Sequence, residues 1–127
     1  LRFPSKQVFS LVGDGGALMT GSELATAVAQ KAKIRVIVAN NQHYGTIRYH
    51  QELHFPTRDH YATNLVNPDF AKYGESFGLK CFTIEEVEEI IPKIKEAMNV
   101  DGPSLIEFKM SLELNTSTTT ITQLQVM

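Results

Sequence analysis

Two short runs of β-branched and apolar residues, QVFSLV (7–12) and IRVIVA (34–39), flank a stretch whose apolar residues recur at helical spacing. Leu24, Ala25, Val28, Ala29 and Ala32 form that stripe, and Thr20 with Glu23 has the T-x-x-E pattern of a capping box. Strand, helix and strand fit within about 33 residues, which predicts a βαβ unit with parallel strands and a right-handed crossover. This constrains the fold more than any other feature, because a parallel sheet buries both faces and needs helices to cover them.

The rest of the chain extends the pattern. NPDFAKYGESFG reads as a helix with Asn67 as N-cap, Pro68 in the first turn and Gly78 as its end. LKCF (79–82) is expected to be a third strand and SLIEFKM (104–110) a fourth. Between them, Thr83 and Glu86 suggest a second capping box for IEEVEEIIPKIKEAM, with a stripe of Val87, Ile90, Ile91, Ile94, Ala97 and Met98 and a kink at Pro92. Residues 46–66 read as a short helix and an irregular stretch, with Pro56 ending the helix. Residues 111–127 are threonine-rich and read as a polar, extended surface tail. The fold class is α/β: one domain over 1–127, three-layered, with a mostly parallel sheet and flanking helices. Few helices are available to cover two faces, so exposed apolar surface is expected.

Composition excludes several classes. With 127 residues the chain is one domain, and a net charge of −2 provides no basic field for nucleic acid. No apolar run approaches a membrane span of roughly 20 residues, and no secretory pattern opens the chain. The lone Cys81 cannot form an internal disulfide and fits a reducing, cytoplasmic setting. The chain opens on Leu1, not methionine, and is expected to be a piece of something longer.

LVGDGGALMTGSEL (11–24) places an aspartate among glycines where the first strand stops. A dinucleotide fingerprint would need glycine at position 18, where Leu stands, and would put a carboxylate beside the pyrophosphate. A P-loop would need lysine after Gly21, where Ser22 stands. A carboxylate and a phosphate are compatible when a divalent cation lies between them, since Mg²⁺ shares protein oxygens with phosphate oxygens. Asp14 lies two residues past Val12 and Asn41 two past Ala39. On neighbouring parallel strands, both side chains would leave the same sheet edge at the same offset, the edge where open α/β sheets bind ligands. Gly15 and Gly16 would let backbone N–H groups approach a phosphate.

GDG followed at this spacing by NN resembles the thiamine-diphosphate binding motif. The text GDGGALMTGSELATAVAQKAKIRVIVANNQHYGTIR resembles the C-terminal cofactor-binding domain of acetolactate-synthase-like enzymes. YGTIR is similar to benzoylformate decarboxylase and related carboligases. The resemblance implies a thiamine-diphosphate-binding fold truncated at its N-terminus, with LRFP similar to the end of an upstream helix. It implies Mg²⁺ held by Asp14, Asn41 and the backbone carbonyl of His43. It implies cofactor contacts from Gly13, Gly15, Gly16, Tyr44 and Gly45, with Thr46 near the aminopyrimidine. It further implies a 2-oxo acid substrate, and an activating glutamate on a pyrimidine-binding domain or subunit that this chain lacks. The expected whole is a dimeric or tetrameric decarboxylase or carboligase, a lyase or transferase, with this chain inactive alone. The alternative is a non-catalytic module that binds a phosphorylated ligand beside a partner subunit. A receiver-type phosphotransfer domain would need further acids and a later lysine, and only Asp14 is suitably placed.

Arg48 and His50 follow the cofactor loop and are candidate substrate contacts, Arg48 through a bidentate hold on a carboxylate. Acetolactate synthases usually carry tryptophan where His50 stands. Arg48 could equally form a surface ion pair with Glu52 at i,i+4. His43, His50, His54 and His60 lie close in sequence, but Gln51 replaces the glutamate of H-E-x-x-H, so a solvated or rim role is favoured over zinc.

Overall fold

A computed structural model of the chain describes residues 3, 5–55, 59–114 and 119–125. Four parallel strands form one sheet: β1 (Val8–Gly13), β2 (Ile34–Asn40), β3 (Lys80–Ile84) and β4 (Ser104–Lys109), in the order β1-β2-β4-β3. The helices are α1 (Asp14–Thr20), α2 (Leu24–Ala29), α3 (Gly45–His54), α4 (Phe70–Ser76), α5 (Ile90–Met98) and α6 (Ile121–Gln125), with 3₁₀ turns at Gly21–Glu23 and Val87–Glu89.

The sheet's alternation divides the core in two. On one face Val38 and Leu105 meet Leu24, Phe70 and Leu79, with Val28, Tyr73 and Phe77 packed around them. On the other, Phe82, Ile84 and Ile106 meet Ala97, Ile90 and Ile94 of α5. This is the expected three-layer α/β arrangement. Among the described residues β1 is an edge strand with one neighbour, and exposed apolar surface gathers there: Leu11 is 76% and Phe9 50% exposed. No helix among the described residues is long and apolar enough to cross a membrane.

Several local expectations are corrected. Helix begins at Asp14, directly at the strand end, so Thr20 makes no side-chain cap; its partner Glu23 instead accepts from the Thr26 hydroxyl at 3.4 Å. The second capping box forms three residues later, between Glu86 and Glu89, because Thr83 is drawn into β3 opposite Glu107. Pro92 lies in the first turn of α5, after the 3₁₀ turn, where a missing N–H is least costly. The N-cap of α4 is Asp69, whose Oδ1 accepts the Lys72 N–H at 3.0 Å. Asn67 is thereby freed for a different task. Within 111–127, Leu114 bridges to Thr120 and α6 follows, with Ile121 and Leu124 buried. These two apolar residues stand at i,i+3 on α6, which lies against α3, so this part of the tail is not an extended surface strand. The LRFP reading (apart from Phe3), Pro56 and residues 115–118, 126 and 127 of the tail lie outside the described residues.

Candidate cofactor and metal site

β1 and β2 deliver two loops to one end of the sheet. Their register pairs Val12 with Val38 and Gly13 with Ala39. Asp14 therefore stands level with Asn40, and Asn41 lies one residue further on, correcting the equal offset expected of Asp14 and Asn41. The cause is the register: Val8 pairs with Ile34, so Val12 stands opposite Val38 and not opposite Ala39.

Asp14 is 2% exposed. Its Oδ1 accepts the Gly15 N–H at 2.9 Å, and its Oδ2 accepts from Asn67 Nδ2 at 2.7 Å. The same Asn67 nitrogen donates to Asn40 Oδ1 at 2.8 Å, and Asn40 Nδ2 donates to Glu107 Oε1 at 2.7 Å. Asn41 faces elsewhere: Nδ2 donates to the Leu114 carbonyl at 3.2 Å, and Oδ1 accepts the His43 N–H at 3.3 Å.

The loop after β2 is held from both sides. The Gln42 N–H donates to Asn40 Oδ1 at 3.2 Å, with Gln42 itself at φ +58°. Tyr44 N–H donates to the Thr63 carbonyl and Leu65 N–H to the Gln42 carbonyl, each at 2.8 Å. Between the loops lies an open cleft of ≈ 250 Å³. Gly13, Gly15, Gly16, Tyr44, Gly45 and Thr46 all line it, together with Asp14 and His43. Asn41 is not among the lining residues. The Tyr44 ring packs so closely on Gly15 that a Cβ there would sit 2.5 Å from its Cε1.

Residues 1–108 match the family model described as thiamine pyrophosphate enzyme, C-terminal TPP binding domain. The chain belongs to this family. It is 37% identical over 118 residues to 3D-(3,5/4)-trihydroxycyclohexane-1,2-dione hydrolase of Bacillus velezensis, covering 87% of this chain and 18% of that enzyme. It is 33% identical over 107 residues to the mitochondrial acetolactate synthase catalytic subunit of Saccharomyces cerevisiae, covering 84% of this chain and 15% of the other. Among solved structures it is similar to the thiamine diphosphate-dependent 4-hydroxybenzoylformate decarboxylase of Rhodococcus jostii RHA1, with a TM-score of 0.78 and 28% identity. That match covers 85% of this chain and 20% of the decarboxylase. The chain thus spans a fifth or less of the length of these relatives.

Around this thiamine pyrophosphate-binding domain's cleft, Arg48 is already occupied. Its Nε donates to Glu52 Oε1 at 3.1 Å, and its Nη1 lies 3.4 Å from Asn64 Oδ1 and 3.5 Å from His43 Nε2. The pair with Glu52 forms, but not at the surface: Glu52 is 3% exposed and has His60 Nδ1 at 3.9 Å. His50 is exposed and stacks on His54, ring centroids 5.8 Å apart and nearly parallel. It does not line the cleft. No group of three or more His, Cys, Asp or Glu side chains suited to a metal occurs among the described residues.

Asn67 and Glu107 join the site's network without having been singled out from sequence. Glu107 left a trace there: a lone carboxylate in the middle of the apolar strand SLIEFKM, buried on both sides. Asn67 left none, because Asn-Pro ahead of a helix is accounted for locally as a cap.

Proposed function

We propose that this chain supplies the diphosphate and Mg²⁺ side of a thiamine diphosphate site in a 2-oxo-acid decarboxylase or carboligase. The observation that carries the proposal is Asp14: a buried carboxylate lining a glycine-walled cleft, with only neutral N–H partners and no ion pair among the described residues. An ionised carboxylate taken out of water needs compensating charge, at a cost of several kcal/mol without it. A divalent cation shared with a phosphate supplies it.

The residues present fit these groups. Asp14 and Asn41 with the His43 carbonyl are the proposed Mg²⁺ ligands, all oxygen donors as that ion requires. Asn41 would turn from Leu114 to present Oδ1, the atom that accepts the His43 N–H, to the ion. Gly15, Gly16, Tyr44 and Gly45 are the proposed backbone partners of the diphosphate. Gly13 and Thr46 complete the wall, Thr46 toward the aminopyrimidine. Bound there, thiamine diphosphate supplies the electron sink for loss of CO₂ from a 2-oxo acid. The chain's own part is to hold and orient: the Asn41 and Asn40 side chains set the 42–44 turn, and Tyr44 fills the space beside Gly15.

Arg48 enters the proposal through His43, whose ring it flanks while Glu52 fixes its own position. His50, the other candidate substrate contact, stays outside the cleft. The glutamate that activates the cofactor is assigned to another domain or a partner subunit of a homo-oligomer, so this chain alone is proposed to be inactive. The test is CO₂ release from pyruvate and from benzoylformate by the whole encoded protein, with cofactor and Mg²⁺. Release that disappears in Asp14→Ala is the expected result. No release from either acid, despite cofactor binding, would favour the non-catalytic binding module.

A further inference from the structure

Asn67 lies 53 residues from Asp14 in sequence, yet its amide nitrogen touches both loops of the site. The direction of each bond is fixed by chemistry. Asn40 presents Nδ2 to Glu107 Oε1, and the Gln42 N–H, which can only donate, fixes that orientation of the amide. That turns Asn40 Oδ1 the other way, toward the Gln42 N–H and Asn67. Asp14 Oδ2 is also an acceptor, so Asn67 must present Nδ2 to both. Its own Oδ1 is then left buried without a partner. Leaving a buried acceptor unmade costs free energy. Asn67 thus forgoes one hydrogen bond while joining Asp14 to the loop that follows β2.

We propose that Asn67 is a positioning residue for the metal-binding carboxylate. It clamps Asp14 Oδ2 to Asn40 Oδ1, and Glu107 anchors the clamp by fixing the Asn40 amide. The inference rests on the reading of Asp14 as a cation ligand. Asn67 touches neither cation nor cofactor; it holds the ligand and the β2 loop in one arrangement before either binds. Partners of this kind, one bond behind a ligand, typically contribute 10- to 100-fold in metal affinity.

The experiment titrates Mn²⁺, read by its paramagnetic resonance, into the whole encoded protein with thiamine diphosphate present. The variants are Asn67→Ala, the nearly isosteric Asn67→Leu, Asp14→Ala and Asp69→Ala. Asp69→Ala removes the α4 cap two residues away without touching Asp14, and so reports simple loosening of the segment. The expected result is a Mn²⁺ Kd raised roughly 10- to 100-fold in both Asn67 variants, with Asp69→Ala within about twofold of the parent. An unchanged Kd in the Asn67 variants, or an equal rise in Asp69→Ala, overturns the clamp while Asp14→Ala still abolishes binding. If Asp14→Ala itself leaves Mn²⁺ binding intact, the reading of the site fails instead. Thermal midpoints of the metal-free variants identify any that do not fold, and Asn67→Leu then decides alone.

Discussion

Gly15→Ala tests the closest approach in the site. A Cβ at position 15 would lie 2.5 Å from Tyr44 Cε1 and 2.7 Å from Cδ1, with Leu65 Cδ1 behind at 3.4 Å. Ordinary van der Waals contact begins at 3.4 Å, so the ring must retreat by roughly an ångström. The Tyr44 main chain cannot follow, because its N–H is held by Thr63 and its carbonyl by the Arg48 N–H at 2.9 Å. Overpacking of this kind costs about 1–3 kcal/mol. The better helix propensity of alanine offsets at most about 1 kcal/mol of that, since Gly15 is in the first turn of α1. The net loss, about 1–2 kcal/mol, lowers the thermal midpoint by about 2–16 °C across the range of domain sizes. Circular dichroism melts of the ligand-free protein measure it. Tyr44→Leu should remove most of the penalty, giving a coupling of about 1 kcal/mol in the double-mutant cycle. A raised midpoint in Gly15→Ala, or losses that merely add, would refute the close packing of ring on glycine.

Other predictions concern the scaffold. Arg35 is 1% exposed, its guanidinium donates to the carbonyls of Met98, Val100 and Gly102, and burial lowers its pKa. Arg35→Met leaves those carbonyls without their donor and should cost about 1–3 kcal/mol in urea unfolding; a neutral result contradicts the assignment. The Glu89 carboxyl is held down from 4.5 to about 2, first by the Glu85 N–H, then by Lys93 and the Glu86 N–H. A depressed folded pKa gives stabilisation present above the unfolded value and lost as pH falls through the folded one. Glu89→Gln should therefore melt below the parent at pH 7 and alongside it by pH 2, whereas a constant offset argues against this carboxylate. Burial, with help from Glu75, pushes the Cys81 thiol up to about 11. Iodoacetamide should label it at pH 8 at least about tenfold more slowly in folded than in urea-unfolded protein, since only thiolate reacts.

The fold was legible because its signals are local and redundant. Each strand is an apolar run bounded by turn residues, and the alternation with helices leaves few topologies. Register was not legible: nothing in QVFSLV or IRVIVA says that Val12 pairs with Val38 and not with Ala39, which is the difference between Asn40 and Asn41 standing level with Asp14. The glycine-lined cleft follows from GDGG and YG, residues close in sequence to the strand ends that bring them together. Asn67 shows the opposite case. A local role as N-cap was chemically sufficient, Asp69 took it, and the tertiary contact that employs Asn67 left no mark in its neighbourhood. The tail misled in another way: eleven polar residues in 111–127 outweigh Ile121 and Leu124, yet these two are buried where α6 lies against α3.

Asp14 is proposed to join a cation to the diphosphate of the cofactor. Calorimetric titration of the whole encoded protein with thiamine diphosphate tests it most directly, run in Mg²⁺, in chelator, and on Asp14→Ala. Saturable binding is expected in Mg²⁺, and none in chelator or in the variant. Equal affinity with and without the cation, or undiminished binding in Asp14→Ala, would contradict it.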